Sequence, residues 1–354
     1  MPKKPTMTDI ARACGVSQAT VSLVLNNAPG TRISAATREA VLAKAEEINY
    51  RRVNPDRGRR PLIAMLINEA SSSQHVGGLI DGVAGAAAEL GLMALMLPTG
   101  EDEAVEAAAI DLLARLPVVG VIYARLITQA VKPPPSLAAW PTILLNCHTS
   151  DALFPSVVPG DLAAGITATL ALLDAGHQRV GFIGGDQIVE AARERLKGYR
   201  RALAMRDVPY DPALVVKGGW TISGGRDGLH YLLDLRDPPT AVFCFCDRTA
   251  IGVYAAAAEA GLRIPEDLSI IGFDNEDFSA DLDPPLTTME LPHADMARHA
   301  VEELHRPVSL PKSRPSHQRM KFDCPLVKRR SVASRRQVLE QSAAAADPRS
   351  RSQL

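Results

Sequence analysis

The sequence lacks several patterns that mark large classes of proteins. It has five cysteines among 354 residues, an odd number at wide spacings that fits neither a disulfide framework nor a paired Cys-x-x-Cys zinc site. No apolar run approaches the ~18–20 residues of a membrane helix. The basic N-terminus has no apolar segment behind it, so a secretory signal is not expected. These absences predict a cytoplasmic protein whose cysteines are reduced core residues.

Motifs of the common enzyme classes are also missing. There is no Gly-x-Ser-x-Gly elbow, Walker loop or His-Glu-x-x-His, and VGFIGGD (180–186) lacks the third glycine of a dinucleotide fingerprint. Cys244 and Cys246 flank Phe245 in a predicted strand, where a period of two would place both sulfurs on one face. No further metal ligands can be identified beside them. We therefore expect neither an enzyme nor a bound metal or cofactor.

The net charge of −1 conceals an uneven distribution along the chain. Residues 1–60 carry eleven Lys or Arg against five acidic residues, and residues 326–354 carry seven against two. Residues 61–325 carry 21 basic and 33 acidic side chains. A basic head on an acidic body indicates contact with an anionic polymer. More than one domain is expected, because single cores stop growing near ~250–300 residues.

The first 50 residues predict three short helices. Thr6, followed three residues later by Asp9, is a capping-box signal for the first helix, and Gly15 suits the turn after it. Ser17 and Ser34 are expected to cap the second and third helices. The predicted inward faces contain Val21, Val24 and Leu25, then Ala40, Val41, Ala45 and Ile48. Two helices joined by a glycine-containing turn, followed by a third, predict a helix-turn-helix unit.

From Leu62 onward, short apolar runs alternate with alanine-rich helical stretches such as 76–91, 189–206 and 248–260. The runs form two groups of four, at 62–67, 92–97, 118–124 and 142–146, then at 179–185, 213–218, 240–245 and 268–274. This alternation is typical of parallel sheets buried on both faces. The predicted fold class is α/β, with a helix-turn-helix headpiece (1–50), a basic linker (51–61), a two-lobed Rossmann-like body (62–330) and a disordered basic tail (331–354). Such sheets bind ligands at the carboxyl ends of their strands, so a ligand is expected between the lobes.

Several blocks of the sequence resemble one known family. TDIARACGVSQATVSLVLNN (8–27) and ISAATREAVLAKAEEINY (33–50) resemble the headpiece of the LacI/GalR family of bacterial transcription regulators. ERLKGYRRAL (194–203), PPTAVFCFCDRTAIGV (238–253), GLRIPEDLSIIGFDN (261–275) and PPLTTMELP (284–292) are similar to its body. The resemblance, which covers about Thr6 to Arg330, implies a homodimeric repressor, with a tetramer left open. It also implies a periplasmic-binding-protein-like body for a small effector and a headpiece for double-stranded, pseudopalindromic operator DNA.

The second helix is predicted to read bases in the major groove. The family reads bases from the positions that match Gln18, Ala19 and Leu23. Glutamine can bond to adenine and alanine can touch a thymine methyl group. The third position often holds an arginine in the family, so Leu23 either removes a guanine contact or has a packing role. Further candidate DNA contacts, some of which will only cap helices, are Thr6, Ser17, Thr20, Ser22, Asn26, Arg32, Ser34 and Thr37.

The linker RRVNPDRGRRP (51–61) departs from the family pattern. It lacks the leucine that family members wedge into the minor groove, and Pro55 and Gly58 disfavour a helix interior. Arg57 and Arg59 are therefore predicted to follow phosphates or a narrow minor groove, with less bending of the DNA than is usual in the family. The alternative is a solvated linker.

Candidate effector contacts follow predicted strand ends in both lobes. Arg195, Asp274 and Trp220 match family positions in the cleft; an arginine and a carboxylate can bind adjacent hydroxyls, and an indole can pack on a sugar. His75-Val76 replaces a frequent aromatic pair, which favours a sugar over a stacked nucleobase. The structural alternatives are a gap filler for Trp220, a cap for Asp274 and a surface salt bridge for Arg195. The full candidate set is Ser72, Ser73, His75, Asn146, Arg195, Trp220, Asp247 and Asp274.

Two other functions remain open at this point. A sugar-binding receptor would share the body but would need a secretory signal and would lack residues 8–50. A metabolic enzyme with a Rossmann-type core would need catalytic residues in the cleft, and none is visible in the sequence. The favoured interpretation is a sequence-specific DNA-binding repressor controlled by a sugar or sugar derivative.

Overall fold

The computed structural model describes residues 5–25, 33–48, 50, 60–69, 75–151, 153–306 and 319–335. The chain divides into two compact units, residues 1–59 and 60–354. Most of the predicted linker, and the tail after residue 335, lie outside the described residues.

The N-terminal unit contains the three predicted helices, α1 (Met7–Cys14), α2 (Gln18–Leu25) and α3 (Ala35–Glu47). The capping box is confirmed, since the hydroxyl of Thr6 accepts the N–H of Asp9 while the Asp9 carboxylate accepts the N–H of Thr6. Gly15 has φ 64° at the end of α1, a conformation that costs glycine little. Ser17 and Ser34 accept the backbone N–H three residues later at 3.0 and 3.1 Å. Local capping therefore fixes where each helix begins.

A small apolar core joins these helices. Its fully buried members are Ile10, Val21 and Val41, with Val24 and two alanines beside them. Ala40 does not belong to the inward face as predicted, because its side chain is exposed and only its carbonyl turns inward, toward the thiol of Cys14. The remaining predicted positions are buried or half-buried, as their helical spacing indicated.

The second unit alternates strands and helices throughout. Its elements, in chain order, are β1 (Leu62–Ile67), α4 (His75–Glu89), β2 (Met93–Pro98), α5 (Glu103–Leu113), β3 (Val118–Ala130), β4 (Thr142–His148), β5 (Ser156–Pro159), α6 (Asp161–Asp174), β6 (Val180–Gly184), α7 (Glu190–Met205), β7 (Val215–Lys217), α8 (Ile222–Leu233), β8 (Ala241–Cys244), α9 (Asp247–Glu259), β9 (Ser269–Asp274), β10 (Thr287–Glu290), α10 (His293–His305), β11 (Arg319–Phe322) and β12 (Leu326–Val327).

These strands form two sheets of six, one in each lobe. The order in lobe 1 is β11-β5-β4-β3-β1-β2 and in lobe 2 β12-β10-β9-β8-β6-β7. Every paired strand runs parallel to its neighbour except β12, which is antiparallel to β10. The chain passes between the sheets three times, after β5, after β10 and between β11 and β12. The predicted two-lobed parallel α/β body is confirmed, and its strand ends meet at the cleft between the lobes.

Each sheet has six strands, whereas the sequence predicted only four in each lobe. β5, β10, β11 and β12 were not recognised, because each is only two to four residues long and carries too few apolar side chains to form a run. β3 extends six residues beyond its predicted end, and this extension contains a register shift between Ala124 and Gln129. That extension matters because it carries one wall of the cleft.

Four of the five cysteines are buried, as predicted, whereas Cys14 is half-buried beside the core of the N-terminal unit. Cys147, Cys244, Cys246 and Cys324 are buried. Strand β8, however, ends at Cys244, and Cys246 belongs to a different apolar cluster together with Phe245 and Ala192. The period of two therefore does not extend to Cys246, and the two cysteines belong to different apolar clusters.

The body extends past the predicted boundary at Arg330. Ser331 is fully buried; its hydroxyl donates to the carbonyl of Ile270 and accepts the N–H of Thr287. The N–H of Arg335 donates to the carbonyl of Ala175. Residues 331–335 are therefore part of lobe 2 and not of a disordered tail. Within the described ranges, no helix combines the length and apolarity needed to cross a membrane.

Candidate functional site

A cavity of about 280 Å³ lies between the two lobes. Lobe 1 contributes the carboxyl ends of β1, β3 and β4, and lobe 2 contributes the segments after β7, β8 and β9 together with α7. Four of the eight predicted effector residues line this cavity: Asn146, Arg195, Trp220 and Asp274. Ser72 and Ser73 lie outside the described residues, and His75 is described only as the first residue of α4.

Arg195 is buried and is held by its neighbours on several sides. Its Nε donates to Asp161 Oδ1 at 2.8 Å, and its Nη1 donates to the carbonyl of Phe245 at 2.7 Å. The guanidinium lies 3.3 Å from the centre of the Phe273 ring, a cation–π contact. It is therefore a buried ion pair with Asp161 and not a surface salt bridge.

The close packing of α6 and α7 brings Asp161 to Arg195. The two helices approach each other most closely at glycines, Gly165 on α6 and Gly198 on α7. A Cβ at Gly165 would lie 2.6 Å from the carbonyl oxygen of Arg195, and one at Gly198 would lie 2.5 Å from that of Leu162. Any side chain there would force the helices apart. The glycines therefore set the position of the arginine in the cavity wall.

Asn146 positions the opposite wall. Its amide donates to the carbonyls of Arg125 and Leu126 at 3.1 and 2.8 Å, and its oxygen accepts the hydroxyl of Thr128 at 2.5 Å. Asn146 has φ 56°, a left-handed conformation that asparagine tolerates better than most residues. These bonds tie Asn146 to the β3 extension, which carries three further cavity residues (Leu126, Ile127 and Thr128).

Asp274 ends β9 in an unusual backbone conformation. Its φ is 113° and that of Asn275 is 57°. Non-glycine residues in this region cost about 1–3 kcal/mol each and cluster at functional sites. Asp274 Oδ1 lies 3.9 Å from Arg195 Nη1. Asp274 does not cap the following 3₁₀ helix, whose N-cap is Glu276.

Asp247 does not line the cavity, contrary to its predicted role. It is fully buried, where its carboxyl oxygens accept the N–H of Glu276 at 2.9 Å and the hydroxyl of Thr288 at 2.6 Å. Burial, and then the charge of Asp274, raise the pKa of Asp247 to about 8. Strand β8 ends at Cys244, and Asp247 then begins α9, which turns the Asp247 side chain toward the interior. From there Asp247 supports the loop after β9 through its bond to Glu276.

Trp220 forms the aromatic part of the cavity. Its side chain is 39% exposed, and its ring meets Phe245 edge to face at 5.2 Å. A residue that fills a gap between a helix and a sheet would be buried, so Trp220 is not such a gap filler. Phe245 was missed by sequence reasoning because it reads as the last residue of an apolar strand.

Three charged wall residues and one histidine were also missed: Glu69, Arg248, Glu276 and His293. Arg248 Nε lies 3.6 Å from Glu276 Oε1. Glu69 follows β1, Arg248 follows β8 and Glu276 follows β9, so the rule that ligands bind at the carboxyl ends of parallel strands could have identified them. His293 begins α10 after a crossover that the sequence did not predict. In the described part of the chain, no group of three or more metal-binding side chains is assembled.

In the N-terminal unit, α2 presents its predicted base-reading residues at the surface. Gln18 and Ala19 are exposed, and Leu23 is 39% exposed while Val21 and Val24 are buried. Ser17 and Thr20 bond to each other, as do Ser34 and Thr37, so these hydroxyls cap helices as some were expected to. Thr6 is likewise held by Asp9. The predicted contacts Asn26, Arg32, Arg57 and Arg59 lie outside the described residues.

Comparisons with known proteins agree with this architecture. Residues 6–52 match the model of bacterial regulatory proteins of the lacI family, and residues 169–332 match a periplasmic binding protein-like domain. The chain is 34% identical to the HTH-type transcriptional repressor CytR of Escherichia coli K12, over 84% of this chain and 87% of that protein. It is 31% identical to the ribose operon repressor of Haemophilus influenzae Rd, over 86% and 92%.

A solved structure extends the similarity to both units. The lac repressor dimer bound to operator and the anti-inducer ONPF is 25% identical, covers 94% of this chain and 100% of its own, and has a TM-score of 0.72. The comparisons place a DNA-binding domain before a periplasmic-binding-protein-like domain. The same order is seen in the structure, where α2 presents its candidate base-reading residues at the surface and the later residues enclose a cavity between two lobes. The chain therefore belongs to the LacI family of bacterial regulatory proteins, as a DNA-binding transcriptional repressor with an effector-binding body.

Proposed function

We propose that the cavity between the lobes binds a small sugar or sugar derivative and that this binding controls operator affinity. The observation that carries the proposal is the convergence of Trp220, Arg195 and Asp274 on one cavity. An indole ring packs on the C–H face of a sugar, while a guanidinium and a carboxylate bind its hydroxyls. The name of the ribose operon repressor supports a sugar among the relatives.

The size of the cavity also favours a small ligand. Its volume of about 280 Å³ lies at the lower limit of the ~300–1,000 Å³ typical of pockets for drug-sized molecules. A ligand bound between two lobes can favour one arrangement of them only through its different affinity for the alternatives. The sugar would act on operator binding in this way, without chemical turnover.

For the DNA side, we propose that Gln18, Ala19 and Leu23 read bases. The capping hydroxyls Ser17, Thr20, Ser34 and Thr37, together with Thr6 and Ser22, lie at or near helix N-termini and would contact phosphates. Asn26, Arg32, Arg57 and Arg59 remain predictions from the sequence. A homodimer acting in the cytoplasm would place two α2 helices on two half-sites of a pseudopalindrome, as in the dimeric lac repressor complex. Sedimentation of the full chain distinguishes a dimer from a tetramer.

The experiment is a thermal-shift screen of the full chain against mono- and disaccharides, followed by operator titrations with each hit. A ligand at 100 times its Kd should stabilise the protein by about 2.7 kcal/mol. Asp274→Asn should keep operator binding and lose the response to the sugar. Asp281→Asn, an exposed aspartate outside the cavity wall, is the matched control and should respond as wild type. A protein that no sugar stabilises, or an Asp274→Asn variant with the full response, would refute the proposal.

A further inference from the structure

The two arginines in the cavity wall are already engaged by carboxylates of the protein. Arg195 has Asp161 at 2.8 Å and Asp274 at 3.9 Å, and the side chains of all three are at most 7% exposed. Arg248 has Glu276 at 3.6 Å, and the Glu276 side chain is only 3% exposed. A new anion would therefore have to compete with built-in carboxylates for both cations.

The wall also carries more acid than base. Glu69, Asp274 and Glu276 line the cavity against Arg195 and Arg248. Asp161 adds a fourth carboxylate behind Arg195. Asp247 contributes a fifth carboxyl group behind Glu276. The three carboxylates that line the cavity outnumber its two arginines before Asp161 and Asp247 are counted, and burial raises the pKa of both of those groups.

Burial makes this imbalance effective. Charges in a partly enclosed wall are screened less by water and salt than charges on an open surface. Placing like charges next to each other costs several kcal/mol in a binding site. A phosphate ester carries nearly two negative charges at neutral pH. Uncharged hydroxyls, in contrast, can donate to the carboxylates of the wall.

We infer that the cavity selects a hydroxylated ligand without a phosphate group, and that Glu276 and Glu69, with Asp161, exclude phosphorylated sugars. This inference rests on the proposed function of the cavity and narrows its ligand class. It makes Glu276 a specificity-determining residue, because it occupies the more exposed of the two arginines.

The test is calorimetric titration of the full chain with matched pairs at two salt concentrations. The pairs are ribose and ribose 5-phosphate, glucose and glucose 6-phosphate, and nucleosides with their monophosphates; inorganic phosphate is a further probe. The neutral member of any binding pair should bind at least about 100-fold more tightly than its phosphate ester. A phosphate ester that binds as tightly as its neutral partner would overturn the inference and leave the sugar proposal standing.

The other outcomes separate the two proposals. If nucleosides bind and sugars do not, the sugar proposal fails. The inference is then decided by the ratio of the Kd of each nucleoside monophosphate to the Kd of its nucleoside. Binding of inorganic phosphate, or no binding by any pair, overturns the inference.

Variants of the wall provide a second measurement. Glu276→Gln leaves Arg248 without its acidic neighbour, so it should reduce the ratio of phosphate-ester Kd to neutral Kd by about 10-fold. Glu69→Gln should change the ratio in the same direction. Glu101→Gln removes an exposed carboxylate outside the cavity wall and should leave the ratio unchanged. Operator binding confirms that each variant is folded, and an unchanged ratio in both Glu276→Gln and Glu69→Gln contradicts the inference.

Discussion

Glu190, the first residue of α7 in lobe 2, accepts a hydrogen bond from His148 Nε2 at the end of β4 in lobe 1, at 2.7 Å. Its second oxygen accepts Arg319 Nη1 of β11, also in lobe 1, at 2.9 Å. One carboxylate of lobe 2 is thus bound by two side chains of lobe 1. Burial raises the pKa of Glu190, but the bond from His148 and the charges of His148 and Arg319 outweigh it and lower that pKa.

We expect Glu190→Gln to weaken the contact between the lobes. The substitution removes the charge while keeping the shape, and bonds to charged groups contribute about 1.5–3 kcal/mol. The melting temperature of the body should therefore fall by several degrees. Glu194→Gln is the control on the same helix, because Glu194 pairs with Lys197, which is exposed and also belongs to lobe 2. Equal melting temperatures for the two variants would show that the bond between the lobes contributes nothing.

Gln18→Ala should relax recognition at one base pair of each half-site. The exposed Gln18 stands at the first turn of α2, where a side chain can reach a base edge. The variant should lose about 1–3 kcal/mol of discrimination at that position and little affinity for unrelated DNA. Binding to a library of singly substituted operators measures this. Ala43→Ser, an exposed change on α3, should leave the profile intact. A uniform loss over all sites would indicate a phosphate contact.

Leu23→Ala should alter DNA recognition more than stability. Leu23 is 39% exposed, whereas Val21 on the same helix is fully buried. We therefore expect Leu23→Ala to change the free energy of unfolding by less than about 1 kcal/mol. Val21→Ala should cost about 1–3 kcal/mol. Chemical denaturation measures the free energy of unfolding of both variants. A loss for Leu23→Ala above the expected limit of about 1 kcal/mol would restore the packing interpretation.

Much of the fold could be predicted because its signals are local. The caps at Thr6, Ser17 and Ser34 and the long apolar strands are visible as short patterns in the sequence. The strands missed were short, and their partners are distant in the chain, as for β11 beside β5. Pairing of that kind depends on the assembled sheet and not on local periodicity.

Some of the cavity residues could also be predicted from local signals, whereas others depend on contacts between distant parts of the chain. The strand-end rule and the family resemblance identified Arg195, Trp220 and Asp274, which line the cavity. The sequence could not show that Asp161, 34 residues away, engages Arg195, since close packing of α6 and α7 brings them together. It also could not show that Asp247 is buried outside the cavity lining. Both facts depend on tertiary packing.

Asp247 should make the stability of the body depend on pH. Its pKa in the fold is raised to about 8 by burial and by Asp274, whereas an unfolded aspartate titrates near pH 3.8. The folded state therefore binds more protons between about pH 4 and pH 8, and the unfolding free energy should fall as pH rises through that window. Asp247→Asn keeps one oxygen for the bond from Thr288 and has no proton to lose. Its melting temperature should decline less than that of wild type between about pH 5 and pH 9. Asp227→Asn, an exposed change on α8, should keep the wild-type slope, and an unchanged slope in Asp247→Asn would rule out a neutral Asp247 in the fold.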